Sequence, residues 1–446
     1  MNKSKIRLVM VITIFFTSKL VLSQNVGVGT TAPLAGFHVI SNNGFIASGT
    51  LNTGSTINQT GAGSKLIFNS KKGAFRVGYL DAAGADFWND ASTGQYSVGM
   101  GFNVKAPGLN AVAIGQNAFA SLTNSLALGY ASQALASNSV AMGGVGATAK
   151  EQFSVAIGNY ANANSYGSMA LGRNVNAGYT LPGYGENTFA IGIGDNTSFS
   201  AGGHCATGSR AFVFGNNCRA VGGRDFALGN DCVSGSDFFA PNSNHYSFAI
   251  GNSCQASGIF SFALGNNANT NGHVGSMVLG SRIDGLQVYS PADFYLMAQF
   301  AGGYQFQSNN TGTLGVYLQP NTSSWLSLCD STKKEQVLPM EDENSLKKLA
   351  SINYTSWKYK DDPEISNRHY GIMAQDFHAA FGKDELGTIG SDTLVNPIDL
   401  LGVAYSAIKA LEKRTHEIGE LRMENDLLKA RLDKLEIIHS KKRKKH

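Results

Sequence analysis

One short apolar phrase recurs along the middle of the chain. It alternates large and small residues and closes on glycine, as in Val112–Gly115, Leu126–Gly129 and Val155–Gly158. The further copies are Val140–Gly143, Met169–Gly172, Phe189–Gly192, Phe226–Gly229, Phe248–Gly251, Phe262–Gly265 and Met277–Gly280, with looser copies that end at Gly101 and Gly215. Most closing glycines are 14 or 15 residues apart, and three gaps, from 172 to 192, 192 to 215 and 229 to 251, are longer. A fixed period of this kind indicates an internal structural repeat.

The alternation has a period of two, which predicts a short β-strand with one bulky and one small face. Turn-forming pairs such as Gly158-Asn159 and Gly229-Asn230 follow the strands, because both residues tolerate left-handed backbone. A strand and a turn in about 14 residues fit one coil of a β-solenoid. One coil cannot bury its own bulky face, so we expect stacked coils and neighbouring chains to cover it. A flexible glycine-rich linker is the alternative, but linkers do not hold bulky residues in register.

After Leu328 the pattern changes, because charged residues become frequent and glycine becomes rare. A heptad places these residues on one seam: Leu400, Ala404, Ala407, Leu411, Ile418, Leu421, Asn425, Leu428, Leu432 and Leu435. This period of 3.5 residues predicts a coiled coil, in which Asn425 fixes the register and the number of chains. A single long surface helix is the alternative.

The first residues are typical of a secretory signal peptide. Lys3, Lys5 and Arg7 precede the apolar run 8–17, and small residues at 21–23 offer a cleavage site. The run is too short for a transmembrane helix. We therefore expect an exported protein, secreted or at the cell surface, that has no transmembrane anchor of its own.

The composition excludes several classes of function. The formal net charge is only +4, and much of it lies in the tail 439–446, which we interpret as solvated rather than as a nucleic-acid contact. No phosphate loop, nucleotide fingerprint or metal-ligand spacing is present, so we expect no cofactor and no metal.

Four of the five cysteines follow the repeat. Cys218, Cys232 and Cys254 stand three residues after a closing glycine, and Cys205 stands three residues after Gly202. We expect them to be buried free thiols in the core, with disulfides as the alternative. We interpret His204 as a loop residue rather than a metal ligand.

The long gaps of the repeat contain aromatic, turn-rich insertions at 178–185 and 238–246. Loops inserted into a rigid solenoid are candidate contacts for a glycan or a cell-surface ligand, although loops without any function are the alternative. A glycan-degrading site would need clustered carboxylates, and the candidates are Asp195, Asp225, Asp231 and Asp237.

The repeat resembles the head repeats of trimeric autotransporter adhesins. Their Ser-x-Ala-(Ile/Leu)-Gly-x-x-Ala-x-Ala phrase is matched by residues 154–163, and the resemblance covers about residues 96–283. It implies a left-handed parallel β-roll that is a homotrimer and that raises binding surfaces above a cell.

The C-terminal part resembles the endosialidase-type intramolecular chaperone, the auto-processing domain of phage tail fibres. The motifs are residues 325–335, 357–360 and 369–377, followed by the coiled coil. The resemblance implies a trimeric chaperone that in many members cleaves itself before a Ser-Asp-x-x-x-Lys motif. Here Cys329, Asp330 and Lys334 occupy its positions, so the cut would fall between Leu328 and Cys329. His369 is a weaker candidate for proton transfer.

The chain is thus predicted to be mainly β, with a trimeric β-solenoid head and a small α+β chaperone domain that ends in a coiled coil. The expected segments are a signal peptide at 1–23, a lead-in at 24–95, head repeats at 96–283, a connector at 284–328, the chaperone domain at 329–399, the coiled coil at 400–438 and a basic tail at 439–446. The expected function is a fibre or adhesin whose C-terminal domain chaperones its assembly. The alternatives are an auto-processing peptidase that acts in cis and a glycan-binding or glycan-degrading solenoid.

Overall fold

The computed structural model describes residues 25–58, 61–179, 185–194, 203–235, 245–360, 367–384 and 387–443. The chain divides into two compact units. The first contains residues up to 310 together with 315–327, and the second contains 311–314 together with the residues from 328 onward.

The first unit consists almost entirely of β-strands. In chain order its strands are β1 (Val26–Val28), β2 (Phe37–Val39), β3 (Gly63–Asn69), β4 (Ala74–Leu80), β5 (Val98–Phe102), β6 (Val112–Gln116), β7 (Phe119–Ala120), β8 (Leu126–Gly129), β9 (Gln133–Ala134), β10 (Val140–Gly143), β11 (Thr148–Ala149), β12 (Val155–Ile157), β13 (Asn162–Ala163), β14 (Met169–Arg173), β15 (Val175–Ala177), β16 (Phe189–Ile193), β17 (His204–Ala206), β18 (Phe212–Asn216), β19 (Arg219–Ala220), β20 (Phe226–Asn230), β21 (Val233–Ser234), β22 (Phe248–Asn252), β23 (Gln255–Ala256), β24 (Phe262–Asn266), β25 (Ala268–Asn269), β26 (Met277–Ser281), β27 (Val288–Tyr289), β28 (Leu296–Phe300), β29 (Tyr304–Gln307), β30 (Gly315–Leu318) and β31 (Trp325–Ser327). The parallel β-solenoid fold predicted from the repeat is confirmed.

Most coils contribute one strand to each of two sheets, which are parallel except that β3 pairs antiparallel with β4. One sheet runs through β28, β26, β24, β22, β20, β18, β16, β14, β12, β10, β8, β6 and β5 to β4 and β3, and the other runs through the odd-numbered strands from β27 to β7. Equivalent residues of successive phrases are paired, for example Val140 with Leu126 and Gly143 with Gly129. The hydrogen bonds of every coil therefore go to its two neighbours, and the stack extends in one direction only.

The interior of the solenoid is lined by small side chains. The middle residue of each phrase, such as Ala113, Ala127 and Ala141, is completely buried. The larger residues on either side of it point to the opposite face. Most of the buried interior positions of the repeat are occupied by alanine, serine, cysteine or valine.

Coil stacking covers the bulky face only in part. Ile114, Phe214, Phe248 and Leu264 keep between 37% and 46% of their surface exposed. Five phenylalanines form a continuous column on this face, with ring centroids 5.1, 5.0, 5.9 and 6.0 Å apart: Phe189, Phe212, Phe226, Phe248 and Phe262. We call this exposed face the bulky face.

The closing glycines have a structural role that no other residue could fill. Gly229 has a φ of +127°, and a Cβ there would lie 1.9 Å from the carbonyl oxygen of Gly251 in the next coil. Asparagine side chains add a second ladder, because Asn216 donates to Asn230 at 3.1 Å and Asn230 donates to Asn252 at 2.9 Å. Backbone geometry and side-chain amides thus fix the same register.

The N-terminal end of the solenoid is closed by Arg76 and Trp88, which are 1% and 2% exposed. The Arg76 guanidinium donates to the carbonyl oxygens of Phe75, Ser97 and Ala106 at 2.8 to 2.9 Å. Burial lowers the pKa of Arg76 to about 10. Gly99 replaces the usual alanine of the phrase, because a Cβ there would lie 2.8 Å from Cδ of Arg76. The segment before the repeats is therefore a cap for the core.

The second unit is a small α+β domain. It contains α1 (Asp342–Ser351), β32 (Thr355–Trp357), β33 (His369–Gly371), α2 (Ala374–Phe381) and α3 (Pro397–Arg443). Its core is formed by Phe377, Phe381 and Val403, against which Leu349 and Ile352 pack.

Helix α3 extends through the whole predicted heptad region. Its first turns contact α1, where Ser406 donates to Asp342 and Arg414 pairs with Glu343. Beyond these contacts the apolar seam is exposed, and Ile418 and Leu435 are 50% and 62% exposed. The helix is confirmed, whereas its association into a coiled coil stays a prediction. Among the helices that the structure describes, none is both long and apolar enough to cross a membrane.

Candidate functional site

The predicted cleavage motif lies in a tight turn after β31. Asp330 caps the short 3₁₀ helix Ser331–Lys333, and its carboxylate accepts from the backbone N and the hydroxyl of Thr332 at 2.9 and 2.8 Å. These hydrogen bonds, chiefly the backbone one, lower the pKa of Asp330. The short 3₁₀ helix lies between Cys329 and Lys334 in the chain.

The side chain of Lys334 contacts Cys329. The Nζ atom of Lys334 lies 2.9 Å from Sγ of Cys329, so the ammonium can stabilise a thiolate. Both side chains and the preceding Leu328 are exposed. Asp330 does not touch the thiol, and its geometry suits a positioning residue that shapes the turn.

His369 is engaged elsewhere in the second unit. Its ring stacks on Trp357, with centroids 4.6 Å apart and planes at 29°, and it meets Tyr359 edge-on at 5.7 Å. None of its contacts among the described residues joins it to Cys329. The sequence motif therefore identified three neighbouring residues, and the structure brings two of them, Cys329 and Lys334, into direct contact.

The carboxylates proposed for a glycan-degrading site do not form one in the described residues. Asp225 is 1% exposed, and its carboxylate accepts from Ser247 and from the backbone N of Gly222. Asp231 lies in an exposed turn with a φ of +52°. Asp195 and Asp237 lie outside the described residues, as do 180–184 and 238–244 of the two insertions.

None of the four head cysteines forms a disulfide and all four are completely buried, as the repeat predicted. The prediction that Cys205 occupies the same position of the coil as the other three cysteines is wrong. The strand register pairs His204, and not Cys205, with Val175. Counting from Gly202 fails there, since the glycine that closes the phrase of that coil is Gly192.

His204 was wrongly expected in a loop, since it is a buried residue of strand β17. Its Nε2 donates to the Ile191 carbonyl at 2.8 Å, and its Nδ1 accepts from the backbone N of Cys218 at 3.2 Å. Burial lowers its pKa to about 4. The only sequence signal for it was its place in the coil, which the long gap concealed. No group of three or more metal-ligating side chains in the described part of the chain could hold a metal ion.

Comparison with known families agrees with both resemblances. Residues 329–384 match the family model described as the chaperone of endosialidase. Segments 92–118, 123–144, 149–174 and 243–273 match the model of the YadA head domain repeat. No curated protein matches the chain. Segments of the chain thus match both family models, which supports an adhesin-like fibre that carries a chaperone domain.

Proposed function

We propose that this protein is an exported surface fibre of three identical chains, whose C-terminal unit chaperones the assembly. The observation that carries the proposal is the bulky face, along which large apolar side chains remain partly exposed, as at Ile114, Phe214 and Leu264. A soluble monomer rarely leaves such a continuous apolar surface in water, and surfaces of this kind mark contacts between proteins. Copies of the same chain present the same column at the same spacing.

The distal part of α3 supports the same reading. Leu421, Leu428 and Leu432 are 54% to 62% exposed on a helix that has no neighbour along this stretch in the described chain. A heptad seam gains stability when two or more helices bury it. We propose that this seam joins the three chains. The joined helices would then align the three solenoids so that their bulky faces meet. Export rests on the predicted signal peptide 1–23, which lies outside the described residues.

The test of the trimer is a charge placed on the bulky face. Phe226→Glu in the full chain should abolish the trimer or weaken it strongly, because an unpaired carboxylate would be buried between chains. Leu122→Glu is the matched control, since Leu122 is also apolar and 49% exposed but lies in a turn. Size-exclusion chromatography with light scattering gives the molar mass of each. Equal trimer content in both variants would refute the assignment of this face as the interface.

A second function is favoured by the contact between Lys334 and Cys329. We propose a single self-cleavage in which the thiolate attacks the carbonyl carbon of Leu328. The bond from that carbon to the nitrogen of Cys329 breaks, and the nitrogen takes its proton from the Lys334 ammonium. The product is a thioester between Leu328 and the Cys329 thiol, and water then releases the Leu328 carboxylate and the free thiol. A retained, uncleaved trimerisation domain is the alternative.

Intact-mass spectrometry distinguishes the two. Cleavage predicts two fragments that divide between Leu328 and Cys329, and hydroxylamine added during the reaction should intercept the thioester and leave a hydroxamate on Leu328. Lys334→Ala should slow the cut at least tenfold, whereas Lys333→Ala, one residue away, should not. Cys329→Ala should abolish it. Wild-type chain that stays intact during storage at neutral pH would exclude self-cleavage.

We also propose that the insertions 178–185 and 238–246 contact a glycan or another cell-surface ligand. The support is that they interrupt the regular repeat in the sequence, because loops held by a regular scaffold are frequent binding surfaces.

A further inference from the structure

The first unit contains a cleft at the C-terminal end of the solenoid that takes part in none of the functions proposed above. It has a volume of about 460 Å³ and lies between the segment after β26, the end of β28 and the turn after β30. This volume falls within the usual range for small-molecule sites in proteins. Its lining combines planar polar groups with aromatic rings.

The two charged side chains on the polar side of the cleft have opposite charges that cancel. Arg282 pairs with Asp284 through two hydrogen bonds, from Nε at 3.0 Å and from Nη2 at 2.5 Å. The pair lowers the pKa of Asp284 to about 2, so the carboxylate is ionised at neutral pH. The Nη1 group of Arg282 has no protein partner among the described residues. A donor and an acceptor therefore stand side by side without net charge.

Three amide side chains complete the polar lining. Gln299, Gln319 and Asn321 face the cleft, and none of their amide groups has a hydrogen-bond partner within the described chain. Each amide offers both a donor and an acceptor to a ligand.

The aromatic wall is held in place by hydrogen bonds. The Tyr304 hydroxyl donates to the Ala298 carbonyl at 2.5 Å and accepts from the backbone N of Phe300 at 3.1 Å. The Phe300 and Tyr304 rings meet edge-to-face, with centroids 5.8 Å apart. Because the Tyr304 hydroxyl already makes two hydrogen bonds within the protein, these rings contribute apolar surface to the cleft rather than hydrogen bonds.

We infer that this cleft binds a neutral oligosaccharide. Neighbouring hydroxyls of a sugar need adjacent donors and acceptors, which the Arg282–Asp284 pair and the amides supply, and the apolar face of a sugar ring needs the aromatic wall. A charged ligand gains little from a wall whose charges cancel, and a purely apolar ligand would leave the amides unpaired. The inference stands independently of the trimer and of self-cleavage.

The experiment uses the full chain and isothermal titration with four probes: chitotriose, lactose, maltotriose and the anionic sialyllactose. At least one neutral probe should bind wild-type protein. The double variant Gln319→Ala, Asn321→Ala should weaken that binding at least tenfold. Gln133→Ala, an exposed amide on β9, is the matched control and should leave it unchanged.

Three results would overturn the inference: no binding of any neutral probe, equal binding by the double variant and the wild type, or binding of sialyllactose alone. Circular dichroism spectra of the double variant that match the wild type would show that lost binding is not lost folding. A variant that fails to fold is replaced by Asn321→Asp, which keeps the size of the side chain and should also weaken binding of the neutral probe.

Discussion

Acidification should destabilise the head through the buried His204. The pKa of His204 falls from the ordinary 6.5 to about 4 because the ring is buried, and the hydrogen bond that it donates to Ile191 opposes the shift only in part. Its Nδ1 already accepts from the backbone N of Cys218, so a proton there would face another N–H group. In the unfolded chain the imidazole is free to take that proton. Stability is therefore complete above about pH 6.5, falls as the pH drops, and stops falling below about pH 4.

The magnitude follows from the two pKa values. The difference between 6.5 and about 4 corresponds to roughly 3 kcal/mol per chain, at about 1.4 kcal/mol for each pKa unit. The matched variant is His204→Val, because Val175 occupies the same column and is fully buried. This variant loses two hydrogen bonds and should be less stable at pH 7, but it should lack this part of the pH dependence.

The assay is urea unfolding of the full chain at fixed protein concentration between pH 7 and pH 4, followed by far-ultraviolet circular dichroism. The difference in unfolding free energy between wild type and His204→Val cancels the titration of all other groups. It should shrink by about 3 kcal/mol as the pH falls. A difference that stays constant across this range would refute the reasoning, because His204 would then have the same pKa in the folded and the unfolded chain.

Three further predictions concern packing and thiol access. Gly229→Ala should destabilise the head more than Gly272→Ala in urea unfolding, because both glycines have a positive φ but only the first would place a Cβ 1.9 Å from a backbone oxygen; equal losses would contradict the ladder. Arg76→Met should lower the free energy of unfolding by about 3 kcal/mol. Gly99→Ala should lower it in the wild-type protein but not in the Arg76→Met variant. Additive losses in a double-mutant cycle would contradict the role of Arg76 as a cap. Iodoacetamide should modify one cysteine, Cys329, in the native protein and all five in urea, as counted by intact mass; native modification of the head thiols would contradict their burial.

The repeat could be predicted from the sequence because every coil obeys the same local rule. Closing glycines, turn asparagines and alternating side chains are set by backbone conformation and by the residues of one coil. The sequence did not reveal how little of the bulky face is covered within one chain. That depends on the width of the coil interior, which admits Ala127 but not Leu126 or Leu128.

Positions inside the long gaps were harder to predict. His204 and Cys205 are adjacent in the sequence. Only the register between β15 and β17 shows that His204 is the one that occupies the interior position of Val175. At the cleavage motif, spacing placed Cys329 and Lys334 five residues apart, and the turn capped by Asp330 explains why they meet. The ring of His369 stacks on Trp357, a contact between the paired strands β32 and β33. A motif read along the sequence does not show such a contact between strands.

The central claim is that apolar side chains left partly exposed by a single solenoid are covered by two further copies of the chain. Native mass spectrometry of the full-length protein counts the chains in each particle directly. The account predicts a species of three chains that persists on dilution to nanomolar concentration. A particle that contains one chain only, stable and folded at micromolar concentration, would contradict it.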